Sequence, residues 1–135
     1  MPHHFHAVVA IDHAEALILE FSESGVTEHR IRPKDRHGNI HHKAGSIGSG
    51  HSHDSKAYLT AVTNALQSVH EILIVGHSSA KDELASFIRD HVPALAPRIM
   101  GVETVAQPTK GEILALARKF FEAKDHMTPQ LSIPA

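Results

Sequence analysis

The chain of 135 residues contains no cysteine and no tryptophan, and it has only five phenylalanines and one tyrosine. The absence of cysteine excludes disulfides, cysteine-zinc sites and thiol nucleophiles, and it fits a reducing cytosol. With so few aromatic side chains, the core must consist mainly of Ala, Val, Ile and Leu. Apolar residues make up 41% of the chain, which is enough for one core. The length predicts a single domain.

Long hydrophobic runs are also absent. The first residues, "MPHHFHAVVAIDHAEALIL", have no basic region and no apolar run of the length of a signal peptide or a membrane span. We therefore expect a cytoplasmic protein that does not interact with membranes.

Charge is distributed unevenly. The formal net charge is −2, yet the only acid between Arg30 and His53 is Asp35. Five cations lie in the same region: Arg30, Arg32, Lys34, Arg36 and Lys43. The region also contains several histidines and glycines. A basic segment on an otherwise acidic chain can face phosphate groups, although a polar loop can also be simply solvated.

The first part of the chain predicts an antiparallel meander. His6 to Asp12 is a short apolar run rich in β-branched residues, which is typical of a buried strand. Ala14 to Phe21 follows after a short connection and is predicted as its hairpin partner. Val26 to Ile31 alternates apolar and polar residues, which predicts a third, half-exposed strand.

From Asp54 the hydrophobic period changes to that of a helix. The apolar residues on its inner face are Tyr58, Val62, Ala65, Leu66 and Val69. Glu71 to Gly76 is a continuous apolar run, which is typical of a central parallel strand. Ser79 is predicted to cap the next helix with its side chain.

The last part of the chain predicts one more strand and one more helix. Arg98 to Val102 is predicted as the strand, and Thr109 with Glu112 forms a capping-box pattern at the start of the helix. The predicted buried stripe of this helix is Ile113, Leu116, Ala117 and Phe120. Residues 127–135 contain two prolines and no periodic pattern, which predicts a loose tail.

The predicted order is βββαβαβα. A meander followed by right-handed βαβ units gives an α/β fold of RNase H-like topology, with a five-stranded mixed sheet and helices on its faces. We expect one domain over residues 1–126 with a flexible loop at 33–53, and a tail at 127–135.

Four stretches resemble the central domain of the archaeo-eukaryotic class 1 release factors and of their relative Pelota. They read "AVVAIDHAEALILEF", "HRIRPKDRHGN", "EILIVGHSSAKDELASFI" and "PRIMGVETVAQPTKGEILAL". The resemblance covers roughly residues 6–121. It implies a role in translation, with the ribosome or RNA as partner. We expect a stand-alone protein of the kind labelled bacterial translation-machinery-related.

The sequence departs from release factors in the loop before the first helix. In those factors this loop carries Gly-Gly-Gln, which enters the peptidyl-transferase centre. Here it reads "GSIGSGHSHD", without Gly-Gly and without Gln. Pelota-type domains also lack the triplet and keep a basic loop. The resemblance therefore implies a binding module without peptide-release activity rather than an enzyme.

The five cations are the predicted RNA-binding residues: Arg30, Arg32, Lys34, Arg36 and Lys43. Each can neutralise a phosphate, and the glycines at 45, 48 and 50 allow the backbone to approach RNA closely. The loop contains no aromatic residue, so base stacking is not available there. We expect contacts to the RNA backbone rather than to its sequence.

Two alternatives remain open. His41, His51 and His53 could bind zinc or nickel if the loop closes, although no rigid element fixes their spacing. A metal-dependent hydrolase or nuclease on the RNase H-like scaffold would use Asp12 as its first carboxylate. Its candidate partners are Glu20, Asp54, Glu71 and Glu103. Otherwise we expect no cofactor. A homodimer is also a candidate assembly.

Overall fold

A computed structural model describes residues 5–23, 25–33 and 55–132, with side chains as far as residue 123. The strands are β1 (His6–Ile11), β2 (Ala16–Phe21), β3 (Val26–Ile31), β4 (Glu71–Gly76) and β5 (Ile99–Thr104). The helices are α1 (55–65), α2 (Ala80–His91) and α3 (Lys110–Ser132), and a 3-10 turn covers Ala96–Arg98. The predicted order βββαβαβα is confirmed.

The five strands form one mixed sheet in the order β3-β2-β1-β4-β5. β1 pairs with β2, and β2 with β3, in antiparallel fashion, whereas β1 with β4 and β4 with β5 are parallel pairs. The predicted α/β class and RNase H-like topology are therefore confirmed. β1, β3, β4 and β5 all end at the same side of the sheet, which we call the carboxyl edge.

One face of the sheet is covered by α1 and α2. Because side chains alternate along a strand, Val9 and Ile11 of β1 point to this face together with Ile72 and Ile74 of β4. The helices and the turn after α1 bury Tyr58, Val62, Leu66, Leu84 and Ile88 against them. Tyr58, Val62 and Leu66 belong to the inner face predicted for the first helix. Each fully buried Leu, Ile or Val contributes about 1.5–3 kcal/mol to folding.

The other face is covered by α3. Its buried residues are Ile113, Ala117 and Phe121, and they pack on Val8, Leu17, Leu19, Phe21, Leu73 and Val75 of the sheet. The sequence predicted Leu116 and Phe120 in this stripe, but both are only half-buried. Phe121 takes the central place because it lies four residues after Ala117 and reaches the Phe21 ring, with 6.0 Å between centroids.

The third helix is longer than the sequence suggested. α3 continues through Ser132, so residues 127–132 are helical where a loose tail was expected. Extending an existing helix costs far less than starting one, so α3 continues past Pro129, the one proline among residues 127–132. None of the described helices combines the length and the apolar character that a membrane span requires.

Helix starts agree with prediction at α3 and differ at α2. Thr109 N donates to Glu112 Oε1 at 2.8 Å and Glu112 N donates to Thr109 Oγ1 at 3.1 Å, which is the predicted capping box. Ser79 occupies the N-cap position of α2, but its side chain makes no capping bond. Its hydroxyl lies 3.2 Å from Glu83 Oε2 instead, and Ser78 Oγ accepts from Ala80 N.

Candidate functional site

Of the predicted site residues, the three that the structure describes, Arg30, Arg32 and Asp12, lie at the carboxyl edge of the sheet. β3 ends there at Ile31, and α1 must begin there because it returns the chain to the start of β4. Tyr58 on the first described turn of α1 donates its hydroxyl to Asp12 O at 2.8 Å, at the end of β1. The segment that connects β3 to α1 is therefore attached to this edge at both ends.

Most of the predicted site residues lie in that connecting segment, outside the described residues. They are the cations Lys34, Arg36 and Lys43 and the candidate metal ligands His41, His51 and His53. The predicted flexible loop at 33–53 lies outside them as well, apart from Pro33. The roles of these residues stay predictions.

Arg30 and Arg32 are described, and they share one carboxylate. Arg30 Nη1 donates to Glu15 Oε2 at 2.7 Å. Arg32 donates to Glu15 Oε1 from Nε at 3.0 Å and from Nη2 at 2.8 Å. The β2–β3 pairing, with Ala16 opposite Ile31, brings the β1–β2 turn beside the two arginines. Both arginines therefore lie on one side of the chain, as strand alternation predicts.

A second carboxylate joins Arg30 to the third helix. Glu28 Oε2 accepts from Arg30 Nε at 2.9 Å, and Glu28 Oε1 accepts from Lys110 Nζ at 2.7 Å. The hydrogen bonds from Lys110 and then from Arg30 hold the pKa of Glu28 below its ordinary value. The hydrogen bond to Glu28 in turn raises the pKa of Arg30. The result is an ion-pair chain of Arg32, Glu15, Arg30, Glu28 and Lys110.

This ion-pair chain is exposed, so it orients side chains more than it stabilises the fold. It connects the β1–β2 turn, the end of β3 and the start of α3. The five charged groups therefore lie next to the start of the segment that carries the other predicted cations.

Asp12 has a structural role in the β1–β2 turn. Its Oδ1 accepts from the backbone N–H groups of Ala14 at 2.8 Å and Glu15 at 2.9 Å. This is the usual way in which an aspartate closes a turn. Its Oδ2 lies 3.7 Å from His77 Nε2, at the end of β4.

Of the acids suggested as partners of Asp12, the three that the structure describes do not meet it. Glu71 lies beside His6 at the opposite edge of the sheet, with 3.2 Å between Oε1 and Nε2. Glu20 faces His29 across β2 and β3 at 3.4 Å. Glu103 is exposed on β5, and Asp54 lies outside the described residues. Within the described part of the chain, no group of three or more His, Asp or Glu side chains could hold a metal ion.

A cleft of about 310 Å³ opens at the carboxyl edge. Polar residues from five different parts of the chain line it: Asp12, Glu15, Arg30, His77, Gln107 and Lys110. Its apolar lining includes Ala10, Leu17, Val105, Pro108 and Ile113. Clefts outside the carboxyl ends of parallel strands are where open α/β sheets usually bind ligands.

Gly76 lets the two central strands approach each other at this cleft. A Cβ atom at Gly76 would stand 2.5 Å from Ile11 O. No side chain can be accommodated there without moving the backbone of β1. Val105 N also donates to Gly76 O at 2.9 Å, which ties the β5–α3 connection to the same point.

Sequence reasoning missed Glu15, Glu28 and Lys110 as parts of the site. Glu28 and Arg30 are two positions apart in one strand, so the sequence already places them on the same face. Lys110 and Glu28 are separated by 82 positions. No local pattern links them, and their contact arises only when α3 packs on the sheet.

Known structures with this architecture include Pelota and an archaeal translation termination factor. Pelota from Archaeoglobus fulgidus matches with a TM-score of 0.59 over 84% of this chain and 30% of that protein, at 14% identity. The archaeal translation termination factor aRF1 matches with a TM-score of 0.54 over 96% of this chain and 41% of that protein, at 12% identity. This chain has their fold. The match agrees with the resemblance to the central domain of the release-factor and Pelota family.

The likeness to Pelota and aRF1 concerns part of each protein. The chain spans less than half of either factor's length. No protein-family model and no curated protein matches the sequence. At 14% and 12% identity the comparison establishes the shared fold, and the activities of those factors are not carried over by it.

Proposed function

We propose that the protein is a translation-associated binding module that contacts RNA or the ribosome and has no peptide-release activity. The contacting residues are the five predicted cations Arg30, Arg32, Lys34, Arg36 and Lys43. The observation that carries the proposal is the exposure of Arg30 and Arg32, next to the start of the basic segment. The fold on which they lie is shared with Pelota and aRF1.

The chemistry of the segment suits a phosphate surface. Arginine and lysine bind phosphate oxygens directly and release counterions, so binding of this kind weakens steeply with salt. The glycines of the segment allow close approach of the backbone to RNA. Since the segment contains no Phe, Tyr or Trp, we expect the recognition to depend on phosphate positions and shape more than on stacked bases.

The absence of release activity follows from the loop sequence. Ester hydrolysis in the release-factor scheme uses a glutamine beside a pair of glycines, and "GSIGSGHSHD" provides neither. A peptide-release assay on ribosomes that carry peptidyl-tRNA tests this directly, with an authentic release factor as positive control. We expect no release above the background rate. Release at the rate of the control would contradict this part of the proposal.

Binding is tested by sedimentation with ribosomes through a sucrose cushion over a series of salt concentrations. We expect the protein in the ribosomal pellet at low salt and in the supernatant at high salt. Failure to sediment with ribosomes at the lowest salt would reject the proposal.

Binding of zinc or nickel by His41, His51 and His53 stays a separate prediction. Elemental analysis of protein purified without an affinity tag tests it, and a stoichiometric metal that is lost in the triple alanine variant would support it.

The hydrolase alternative is tested on RNA and on a phosphodiester with Asp12→Asn, which keeps an acceptor for the turn. The homodimer also stays a prediction, and sedimentation velocity tests it.

A further inference from the structure

The cleft at the carboxyl edge offers unused hydrogen-bond donors. Both oxygens of Glu15 and both oxygens of Glu28 accept bonds within the ion-pair chain. Arg30 uses Nη1 and Nε in these bonds, and Lys110 uses one of the three protons of its ammonium group. The remaining hydrogen-bonding capacity of Arg30 and Lys110 therefore consists of donors.

The net charge of the ion-pair chain also favours a ligand that accepts hydrogen bonds. It contains three cations and two carboxylates, so its formal charge is +1. Of its cations, Arg30 and Lys110 line the cleft beside the carboxylates of Glu15 and Asp12, and the amide of Gln107 provides a further donor. Such a surface suits an anionic group with several acceptor oxygens, such as a phosphate.

The rest of the lining suits the remainder of a nucleotide. Asp12 Oδ1 is occupied by the turn, whereas Oδ2 lies 3.7 Å from His77 Nε2, accepts no hydrogen bond from another described residue and can accept from a hydroxyl. The half-buried side chains of Val105 and Pro108 provide an apolar surface for a base or the face of a sugar. The volume of about 310 Å³ lies at the lower end for small-molecule sites.

We propose that this cleft binds a single phosphate-bearing ribonucleotide unit. The phosphate contacts Arg30 and Lys110, and a ribose hydroxyl donates to Asp12 Oδ2. The unit is either a free nucleotide or one nucleotide of an RNA chain. The inference concerns residues outside segment 34–54 and does not depend on ribosome binding.

The experiment is a titration of the full chain with adenosine 5′-monophosphate, followed by backbone amide NMR. We expect saturable shifts at Gly76, His77, Val105 and Gln107. Adenosine and inorganic phosphate serve as partial ligands, and we expect each to bind at least about tenfold more weakly than the nucleotide, because each lacks one set of contacts.

Two lysine variants of α3 localise the phosphate. Lys110→Gln should weaken binding of the nucleotide about tenfold, because it removes a charge-assisted bond. The matched control is Lys119→Gln, which removes an exposed lysine of the same helix and should leave binding unchanged. Amide spectra of both variants show whether the fold is retained.

Several results would overturn the inference. They are the absence of saturable shifts at the four amides up to about 10 mM nucleotide, equal binding of adenosine and the nucleotide, and equal binding of inorganic phosphate and the nucleotide. Unchanged affinity of Lys110→Gln would also overturn it.

A competition arm identifies the source of the nucleotide. A trinucleotide RNA that displaces the bound nucleotide indicates RNA, whereas failure to displace it indicates the free compound. Ribosome sedimentation is measured separately, so failure of the cleft to bind is distinguishable from failure of the proposed function.

Discussion

Glu15 controls how much of the positive charge of Arg30 and Arg32 faces outward, because both guanidinium groups donate to it. Any phosphate that binds these arginines must compete with this carboxylate. We predict that Glu15→Gln strengthens ribosome binding at low salt and makes its salt dependence steeper.

Arg32→Gln should weaken ribosome binding and reduce the salt slope by about one.

The matched control for Glu15→Gln is Glu122→Gln, which makes the same charge change at an exposed position of α3. If net charge alone mattered, both variants would bind ribosomes equally. Equal binding would therefore contradict a specific role of Glu15 at Arg30 and Arg32.

Gly76 is predicted to be irreplaceable for a steric reason. In Gly76→Ala the new methyl group would lie 2.5 Å from Ile11 O, and this backbone atom cannot move without disturbing the β1–β4 pairing. We expect a loss of about 1–3 kcal/mol in the free energy of unfolding, measured by urea denaturation. Gly25→Ala, where nothing lies within 4 Å of a Cβ, should change it by less than about 0.5 kcal/mol. Equal losses would refute the steric explanation.

Tyr58 is the only tyrosine, and the chain has no tryptophan. Its burial, and then the negative charges of Asp12 and Glu15, raise the pKa of its hydroxyl above the ordinary value of 10.0. Ultraviolet absorbance therefore reports this one group. We predict that it ionises in the native protein at a clearly higher pH than in urea. Identical titration curves would show that the hydroxyl is solvated.

The raised pKa of Tyr58 makes stability depend on alkaline pH. Since the unfolded chain ionises first, the stabilising effect is complete below the unfolded pKa and is lost as pH rises toward the folded pKa. At neutral pH Tyr58→Phe should cost about 1 kcal/mol, because Asp12 O loses its donor. Above pH 10 the advantage of the wild type should shrink by about 1.4 kcal/mol per pH unit. A constant difference would contradict this linkage.

At the scale of elements, the two helix starts differ in what their side chains contribute. In the capping box, the side chains of Thr109 and Glu112 each accept a hydrogen bond from the backbone N–H of the other residue. The side chain of Ser79 makes no capping bond. We predict that Thr109→Ala lowers the free energy of unfolding by about 1 kcal/mol and Ser79→Ala by less than about 0.5 kcal/mol. Thermal unfolding of both variants measures this. A larger loss for Ser79→Ala than for Thr109→Ala would show that Ser79 caps α2, as the sequence predicted.

The sequence was most informative for elements whose pattern is local and strong. Glu71 to Gly76 is a strand with the predicted bounds because a short continuous apolar run that ends in Gly is typical of a buried parallel strand. The capping box was visible because its residues are three positions apart. The end of α3 was not visible, because the extension of a helix depends on cooperativity as well as on local propensity.

Packing details were less predictable than elements. Phe120 and Phe121 are adjacent on α3, and the helical period alone allows either to face the sheet. The position of Phe21 and the smaller Ala117 decide in favour of Phe121. The same limit applies to the site, because the contacts of Lys110 with Glu28 and of His77 with Asp12 join segments that are distant in sequence.

At the scale of the whole molecule, the sheet topology places the two described cations of the predicted site. Because β3 ends at the carboxyl edge, Arg30 and Arg32, the ion-pair chain and the cleft lie on one side of the fold. In the proposed function this side faces RNA. The side-chain groups that a release reaction would need are missing from the segment sequence, while the charges that a binding module needs are present.

The most direct test of the proposed function is the salt dependence of ribosome binding by the wild type and two matched triple variants. One replaces Lys34, Arg36 and Lys43 by Gln. The other replaces Arg89, Arg118 and Lys119 by Gln, which are exposed cations away from the carboxyl edge. We predict that the first variant loses ribosome binding at moderate salt and has a slope smaller by two to three, or roughly one for each phosphate contact. The second variant should bind like the wild type. Equal behaviour of the two variants, or no binding by the wild type at low salt, would contradict the proposal.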